Sequence, residues 1–239
     1  MEASANPELS VVIPCYNEEQ RLPRTIEQIV SYLAGKQVSY ELILVDDGSR
    51  DGTRRAMDEA AARNPAVRIE ALAQNRGKGR ALAEGVANAR GAEILVTDAD
   101  LSTPIDELDR LRTELRKGAG VAIASRALKE SRVEVSQPAY RVLMGKAFNL
   151  LVQAVLLPGI WDTQCGFKLF RADVAHDVFA RLTTDGFGYD PEVLYRAKKQ
   201  GVRIVEVPVV WRNSAQTTVS PIKSSLDMFR HVVRIRFSA

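Results

Sequence analysis

The stretch Ile94-Leu95-Val96-Thr97-Asp98-Ala99-Asp100 decides how this chain is read, because an apolar run stops abruptly in two carboxylates one residue apart. A short unbroken apolar run reads as a strand buried on both faces. Open α/β sheets hold their ligands beyond the C-terminal ends of such strands, which is where Asp98 and Asp100 leave this one. At a spacing of two, both carboxylates can point the same way. Side by side they repel, and a divalent cation holding a diphosphate resolves the conflict and uses both charges. The plainer alternative is that each caps a turn ahead of a helix beginning at Ser102-Thr103-Pro104.

The same punctuation occurs twice upstream. Leu9 to Pro14 reads as a strand running into Cys15-Tyr16-Asn17-Glu18-Glu19, and a helix follows over about Glu19 to Leu33 with Leu22, Ile26, Ile29, Val30 and Leu33 on one face. Glu41 to Val45 is a second strand, ending in Asp46-Asp47-Gly48-Ser49 and then Asp51-Gly52-Thr53 before a helix to about Arg63. Val67 to Leu72 is a third, followed by Gln74 to Arg80 and an alanine-rich helix to Arg90. Within that loop, Gly77-Lys78-Gly79 offers amides and a lysine suited to an anion, without the Gly-Lys-Ser/Thr of a full Walker motif. It reads either as a basic loop facing a diphosphate or as a helix start. A helix from Pro104 to Lys117 and a strand from Gly120 to Ala124 complete the first half. This alternation predicts an α/β fold with a mostly parallel, Rossmann-like sheet and helices on both faces. Three strands then deliver Tyr16/Glu18, Asp46/Asp47 and Asp98/Asp100 to one edge, which reads as a ligand site.

Beyond Ser125 the pattern changes. Arg126, Arg132, Arg141 and Lys146 fall in a polar connection that opens a helix near Pro138, and from Val142 to Leu157 only Gly145, Lys146, Asn149 and Gln153 interrupt the apolar run. Positions 141, 145, 149 and 153 draw one polar stripe on a greasy cylinder, so this helix is either central to the core or partly laid into lipid. The polar segment Asp162 to Lys168 follows it and is placed against the same cavity. Gly186 to Glu192 opens a helix to about Gln200, with Asp190 as a cap or a site group, and Val202 to Trp211 reads as a strand. Ser220-Pro221 starts an amphipathic helix with Ile222, Leu226, Phe229 and Val233 opposite Arg230, His231 and Arg234, fit to dock on the domain or on an anionic membrane surface. The expected layout is a tail over 1–8, one domain over 9–218 and this basic helix over 219–239.

Composition narrows the class. The 239 residues are 46% hydrophobic and 26% charged with net charge +3, an ordinary globular balance. Two distant cysteines, Cys15 and Cys165, imply neither a disulfide nor a zinc site and fit a reducing cytosol. Residues 1–8 read as neither signal peptide nor anchor, and no window reaches the roughly 18 apolar residues of a membrane span. The expectation is a chain that is soluble or sits on a membrane. Nothing combines aromatic and basic residues as a stacking platform for nucleic acid.

Together these segments resemble the family 2 glycosyltransferases of GT-A fold, and within them the dolichyl-phosphate and polyprenyl-phosphate sugar synthases. The resemblance rests on Val11-Val12-Ile13-Pro14-Cys15-Tyr16-Asn17-Glu18, Leu44 to Ser49 with Asp51-Gly52-Thr53, Asn75-Arg76-Gly77-Lys78-Gly79 and Thr97-Asp98-Ala99-Asp100. It covers roughly residues 9 to 230. Asp-Thr-Gln-Cys-Gly-Phe-Lys-Leu-Phe at 162–170 is similar to the dolichyl-phosphate β-glucosyltransferase branch. The resemblance implies that Pro14, Tyr16, Glu18 and Asp46 hold the nucleotide, that Asp47 supports their loop, and that Asp98 and Asp100 hold Mg²⁺ or Mn²⁺. It implies that Arg126 faces the phosphates and that Arg141 grips an acceptor phosphate. Two departures stand out: Thr217-Thr218-Val219 stands in place of the family's Ser-Lys-Leu, so either Arg212 or Lys223 substitutes or the clamp is weaker, and the N-terminal membrane helix of the eukaryotic glucosyltransferases is expected to be lacking.

The implied activity is inverting transfer of glucose from UDP-glucose to a dolichyl or polyprenyl phosphate, by a protein bound peripherally at the cytoplasmic membrane face. A phosphate acceptor is already anionic and needs no base, only cations such as Arg126, Arg141, Lys146 and Lys168, with Asp162 beside them. A hydroxyl acceptor would need a carboxylate base, Asp162 or Asp190. GDP-mannose as donor, a glycan hydroxyl as acceptor, and a non-catalytic nucleotide-sugar-binding subunit are the competing readings. A homo-oligomer or a membrane subunit is admitted as partner.

Overall fold

The computed structural model describes residues 6–135, 139–212 and 231–237, and the side chains at 135 and 139–142 lie outside that description. Its strands are β1 (Leu9–Cys15), β2 (Tyr40–Asp46), β3 (Val67–Ala71), β4 (Glu93–Val96), β5 (Val121–Ser125), β6 (Arg132–Val135), β7 (Lys168–Arg171), β8 (Ile204–Pro208) and β9 (Val210–Arg212). The helices are α1 (Leu22–Gly35), α2 (Thr53–Arg63), α3 (Lys78–Ala87), α4 (Leu108–Arg116), α5 (Ala139–Val155), α6 (Ala172–Ala180) and α7 (Tyr189–Lys199). A 3-10 turn over Ile105–Glu107 leads into α4, and residues 231–237 are helical.

Seven strands form one sheet in the order β3-β2-β1-β4-β7-β5-β8, and β6 pairs with β9 in a small second sheet. In the large sheet only β7 runs antiparallel, to both β4 and β5. Alternate side chains of each strand face opposite sides. Val11, Ile13, Leu42, Leu44 and Leu95 enter one core with Leu22, Ile26, Ile29 and Leu33 of α1, Met57 of α2 and Leu108, Leu111 and Leu115 of α4. Val12, Ile43, Val45, Ile94 and Val96 enter the other with residues of α3, α5, α6 and α7. Helices therefore cover both faces, and α1 buries the stripe its periodicity predicts apart from the partly buried Val30.

The sequence reading missed β6, β7 and α6. β7 is the consequential one: its four residues insert between β4 and β5, so its N-terminal end lies where β4 and β5 have their C-terminal ends, with Lys168 opposite Val96 and Ile123. That reversal carries the segment 162–168 to the edge that collects the carboxylates.

Helix α5 divides its surface. Val152 is buried, as are Leu156 and Leu157 just past its end, whereas Leu143 is 70% and Leu150 67% exposed. Among residues 231–237 the buried side chains are Val232 and Ile235, while Val233, expected on the apolar face, is exposed. The buried pair joins the α7 core, and Arg236 donates to the Tyr195 hydroxyl at 3.4 Å. The remaining positions of that expected helix, including Ile222, Leu226 and Phe229, lie outside the described residues, as do Pro138, Thr217-Thr218-Val219 and Lys223.

Candidate active site

At the C-terminal edge, β1 pairs with β2 so that Cys15 lies opposite Asp46, and with β4 so that Val12 lies opposite Val96. Tyr16 to Glu18, Asp46 to Ser49 and Thr97 to Asp100 thus emerge side by side. Asp46 accepts the Ser49 amide at 2.9 Å, closing the turn after β2. Asp47 is buried and accepts the amides of Arg76 and Gly77 at 2.7 and 2.8 Å and the Asn75 side chain at 3.1 Å. One carboxylate thereby ties the end of β2 to the start of α3. Pro14, inside β1, and Tyr16, partly exposed after it, flank the same mouth.

Glu18 is held by a two-pronged contact from Arg21, both bonds 2.7 Å, and its amide donates to the Thr53 hydroxyl at 2.7 Å. Burial raises its pKa despite Arg21, and the charges of Asp100 and Asp98 push it further up. Glu18 therefore feels both aspartates across this mouth.

Asp98 meets Lys78, the first residue of α3, at 2.5 Å. Burial works against the Lys78 ammonium, yet Asp98 and Asp190 outweigh it and lift its pKa above the usual lysine value. The second Asp98 oxygen lies against Gly166, where a Cβ would overlap the carboxylate. Glycine there leaves room for the Asp98 carboxylate, which any side chain at 166 would have to push aside. Asp100 accepts only the Ser102 amide, at 3.0 Å, and has no basic partner among the described residues.

Below this mouth lie two further ion pairs. Arg126, following β5, grips Asp162 through Nε and an Nη at 2.7 and 2.8 Å, and its amide adds a third bond at 2.8 Å. Its guanidinium stacks 5.3 Å from the Trp211 ring centroid. Burial opposes both charges, but mutual attraction wins: the Asp162 carboxyl is held below the usual range and Arg126 above its own. Glu206 of β8 fixes the loop by accepting the amides of Trp161 and Asp162 at 2.8 and 2.9 Å, and Asn149 of α5 donates to the Trp161 carbonyl. Lys168 is fully buried, donating to the Cys165 carbonyl at 2.6 Å and pairing with Asp190. The Tyr189 ring is within cation–π reach of both lysines, 5.5 Å from the Lys78 amine and 5.9 Å from that of Lys168.

The structure thus brings Tyr16, Glu18, Asp46, Asp47, Lys78, Asp98 and Asp100 to one rim, with Arg126 and Asp162 adjoining. The expectation of a phosphate-gripping Lys168 meets a different arrangement: its buried amine is the counter-ion of Asp190. Lys146 is exposed on α5, and Arg141 lies in the same helix with its side chain outside the described residues. Arg212, expected as a substitute clamp, pairs with Glu134 at 2.6 Å. Sequence reasoning did not single out Gly166, Tyr189, Glu206 or Trp211 as site residues. For Glu206 the only signal was a lone acid in the apolar run Ile204 to Val207.

The family model described as glycosyl transferase family 2 matches residues 10–179. The chain belongs to that family. A dolichyl-phosphate beta-glucosyltransferase of Dictyostelium discoideum is 35% identical over 96% of this chain and 74% of its own length. The Homo sapiens protein of that name is also 35% identical, over 98% and 76%, and that of Saccharomyces cerevisiae 31%, over 96% and 74%. Among solved structures, Mycobacterium tuberculosis glucosyl-3-phosphoglycerate synthase with Mn²⁺, UDP and glucosyl-3-phosphoglycerate superposes with a TM-score of 0.73 at 20% identity, covering 98% of this chain and 81% of that one. A Pyrobaculum calidifontis mannosyltransferase with GDP-Man and Mn²⁺ gives 0.59 at 20%, covering 90% and 59%. These structures establish the GT-A fold, and the family and its relatives make the chain a glycosyltransferase.

Proposed function

We propose that this glycosyltransferase moves glucose from UDP-glucose to a dolichyl or polyprenyl phosphate, with inversion, on a membrane surface facing the cytoplasm. The relatives' activity supports the substrate pair. The observation that carries the acceptor class is the state of the two candidate bases: Asp162 is ion-paired with Arg126 and Asp190 with Lys168. Neither carboxylate is free to take a proton from a hydroxyl, and a phosphate acceptor needs no such base because it is already an anion.

Glu18 and Asp46 are assigned to the base and ribose, together with Pro14 and Tyr16, and Asp47 supports them by fixing the 75–77 loop. Asp98 and Asp100 fit a divalent cation, Mg²⁺ or Mn²⁺: they share a mouth, Asp100 makes no ion pair among the described residues, and their charge is felt by Glu18. When bound there, the cation would neutralise charge building on the departing diphosphate. Among the described residues no three acids, histidines or cysteines gather closely enough to hold a metal alone, so Asp98 and Asp100 would hold the cation only together with ligands from the donor. Arg126, held rigid by Asp162 and Trp211, keeps its remaining N–H groups for the incoming phosphate, with Arg141 and Lys146 assigned beside it. Attack on the anomeric carbon from the face opposite the diphosphate inverts it.

No described helix is long and apolar enough to cross a membrane. Leu143 and Leu150 on α5, and Trp161, 58% exposed and joined to α5 through Asn149, offer the apolar surface that supports peripheral attachment near the acceptor. The test is transfer of radiolabelled sugar into an organic-extractable product with polyprenyl phosphate and Mg²⁺ present. Label from UDP-glucose and not from GDP-mannose is the expected result. Label from GDP-mannose alone would replace the donor, and label from neither while UDP-glucose still binds would remove the lipid phosphate.

A further inference from the structure

We infer that Lys78 is an internal competitor for the metal site, which makes cation binding conditional on the arrival of a nucleotide diphosphate. This rests on the assignment of Asp98 and Asp100 to the metal. Three observations combine. The Lys78 amine sits 2.5 Å from Asp98 Oδ1. The other Asp98 oxygen lies where a Cβ at Gly166 would stand, so the carboxylate is seated beside that glycine with Lys78 on its first oxygen. The described residues provide no third acid, histidine or cysteine ligand to compensate.

A divalent ion seated on Asp98 at a coordination distance of about 2.1 Å would stand within a few ångströms of that ammonium, where repulsion is strong. Without nucleotide, the site therefore holds its own cation. A diphosphate removes the obstacle in two ways: its oxygens supply the missing ligands, and its negative charge gives Lys78 another partner. Lys78 has the position to make that exchange, since it opens α3, where the helix dipole and the start of the helix also face an anion. The Tyr189 ring face, 5.5 Å from its amine, accommodates the ammonium during the change. Lys78 thus acts as a positioning residue that couples metal to donor.

The experiment is titration of the full chain with Mn²⁺, following free Mn²⁺ by electron paramagnetic resonance, with and without saturating UDP. The unmodified chain is expected to bind Mn²⁺ about 100-fold more tightly with UDP present, at the upper end of ordinary coupling between sites. Lys78→Met is expected to bind Mn²⁺ without UDP about 10-fold more tightly than the unmodified chain and to reduce the coupling to about 10-fold, the part that the donor oxygens supply. Lys78→Arg, which keeps the charge, should retain weak binding in the absence of UDP and so separates charge from packing. Unchanged or weaker Mn²⁺ binding by Lys78→Met without UDP overturns the inference while leaving the metal site intact. Asp98→Ala supplies the other distinction: UDP-dependent Mn²⁺ binding that survives in it removes the metal assignment and the inference with it.

Discussion

At the N-terminal edge of the sheet, Glu41 accepts Ser10 Oγ at 2.7 Å, the Arg90 amide at 2.6 Å and the guanidiniums of Arg68 and Arg90 at 2.7 to 3.2 Å. Arg112 likewise joins Glu93 and Glu8 at 2.6 and 3.2 Å. At the C-terminal edge, Asp100 has a single amide, Asp98 one lysine, and Glu18 is destabilised as an anion by burial and by both of them. The first edge completes its electrostatics within the chain and contributes stability. The second leaves negative charge uncompensated among the described residues, which fits the proposed binding of a cation and a nucleotide sugar there.

The largest expected effect separates the edges outright. Asp100→Ala should lower turnover roughly 10³-fold and leave urea-unfolding stability unchanged or slightly raised; Asp98→Ala should lower turnover as much but also lose some stability, because it strips the Lys78 ammonium of its partner. Glu41→Ala should do the reverse, losing about 2–4 kcal/mol in the same titration through stranded polar partners, with near-normal turnover per folded molecule. Stability loss in Asp100→Ala would erase the contrast.

Gly166→Ala sharpens it. The added methyl must displace the Asp98 carboxylate, and a shift near 1 Å in a reacting constellation costs about 10²-fold in kcat. Circular dichroism should show the fold retained.

The pH dependence of stability should have opposite signs at the two edges. Ser10, Arg68 and Arg90, together with the Arg90 amide, outweigh burial and hold Glu41 below its usual pKa. Its contribution is present above the unfolded glutamate value of about 4.3 and is lost as pH falls through the lower folded value. Glu18 is raised, so its folded form binds protons more readily than the unfolded chain and stability falls as pH rises from about 4.3 through the folded value. Denaturant unfolding across this range should show Glu41→Gln flattening the acid loss and Glu18→Gln removing the opposing slope. The smallest effect is a control far from both edges: breaking the exposed Arg54–Asp58 pair should shift stability by less than about 0.5 kcal/mol and turnover not at all.

The binding edge was legible from sequence because parallel strands announce their ends: an apolar run followed by acids specifies both a strand and the edge that the acids reach. Tyr16/Glu18, Asp46/Asp47 and Asp98/Asp100 were grouped on that ground alone. The partners were not legible. Lys78 with Asp98, Arg126 with Asp162 and Lys168 with Asp190 are joined by the sheet order, not by local spacing. That order turns on β7, whose four residues are too few for a period to register. Helix α5 was readable as apolar, but only the neighbours packed on Val152 and absent from Leu150 divide its surface between core and exterior.

The measurement that bears most directly on the central claim, that the C-terminal edge is built to be completed by donor and cation, is thermal unfolding with UDP-glucose, with Mn²⁺, and with both. Both together should raise the melting temperature well beyond the sum of the separate shifts, and Asp98→Ala and Asp100→Ala should each abolish that excess relative to their own ligand-free value. An equal rise in the two variants would place donor and cation elsewhere and contradict the account.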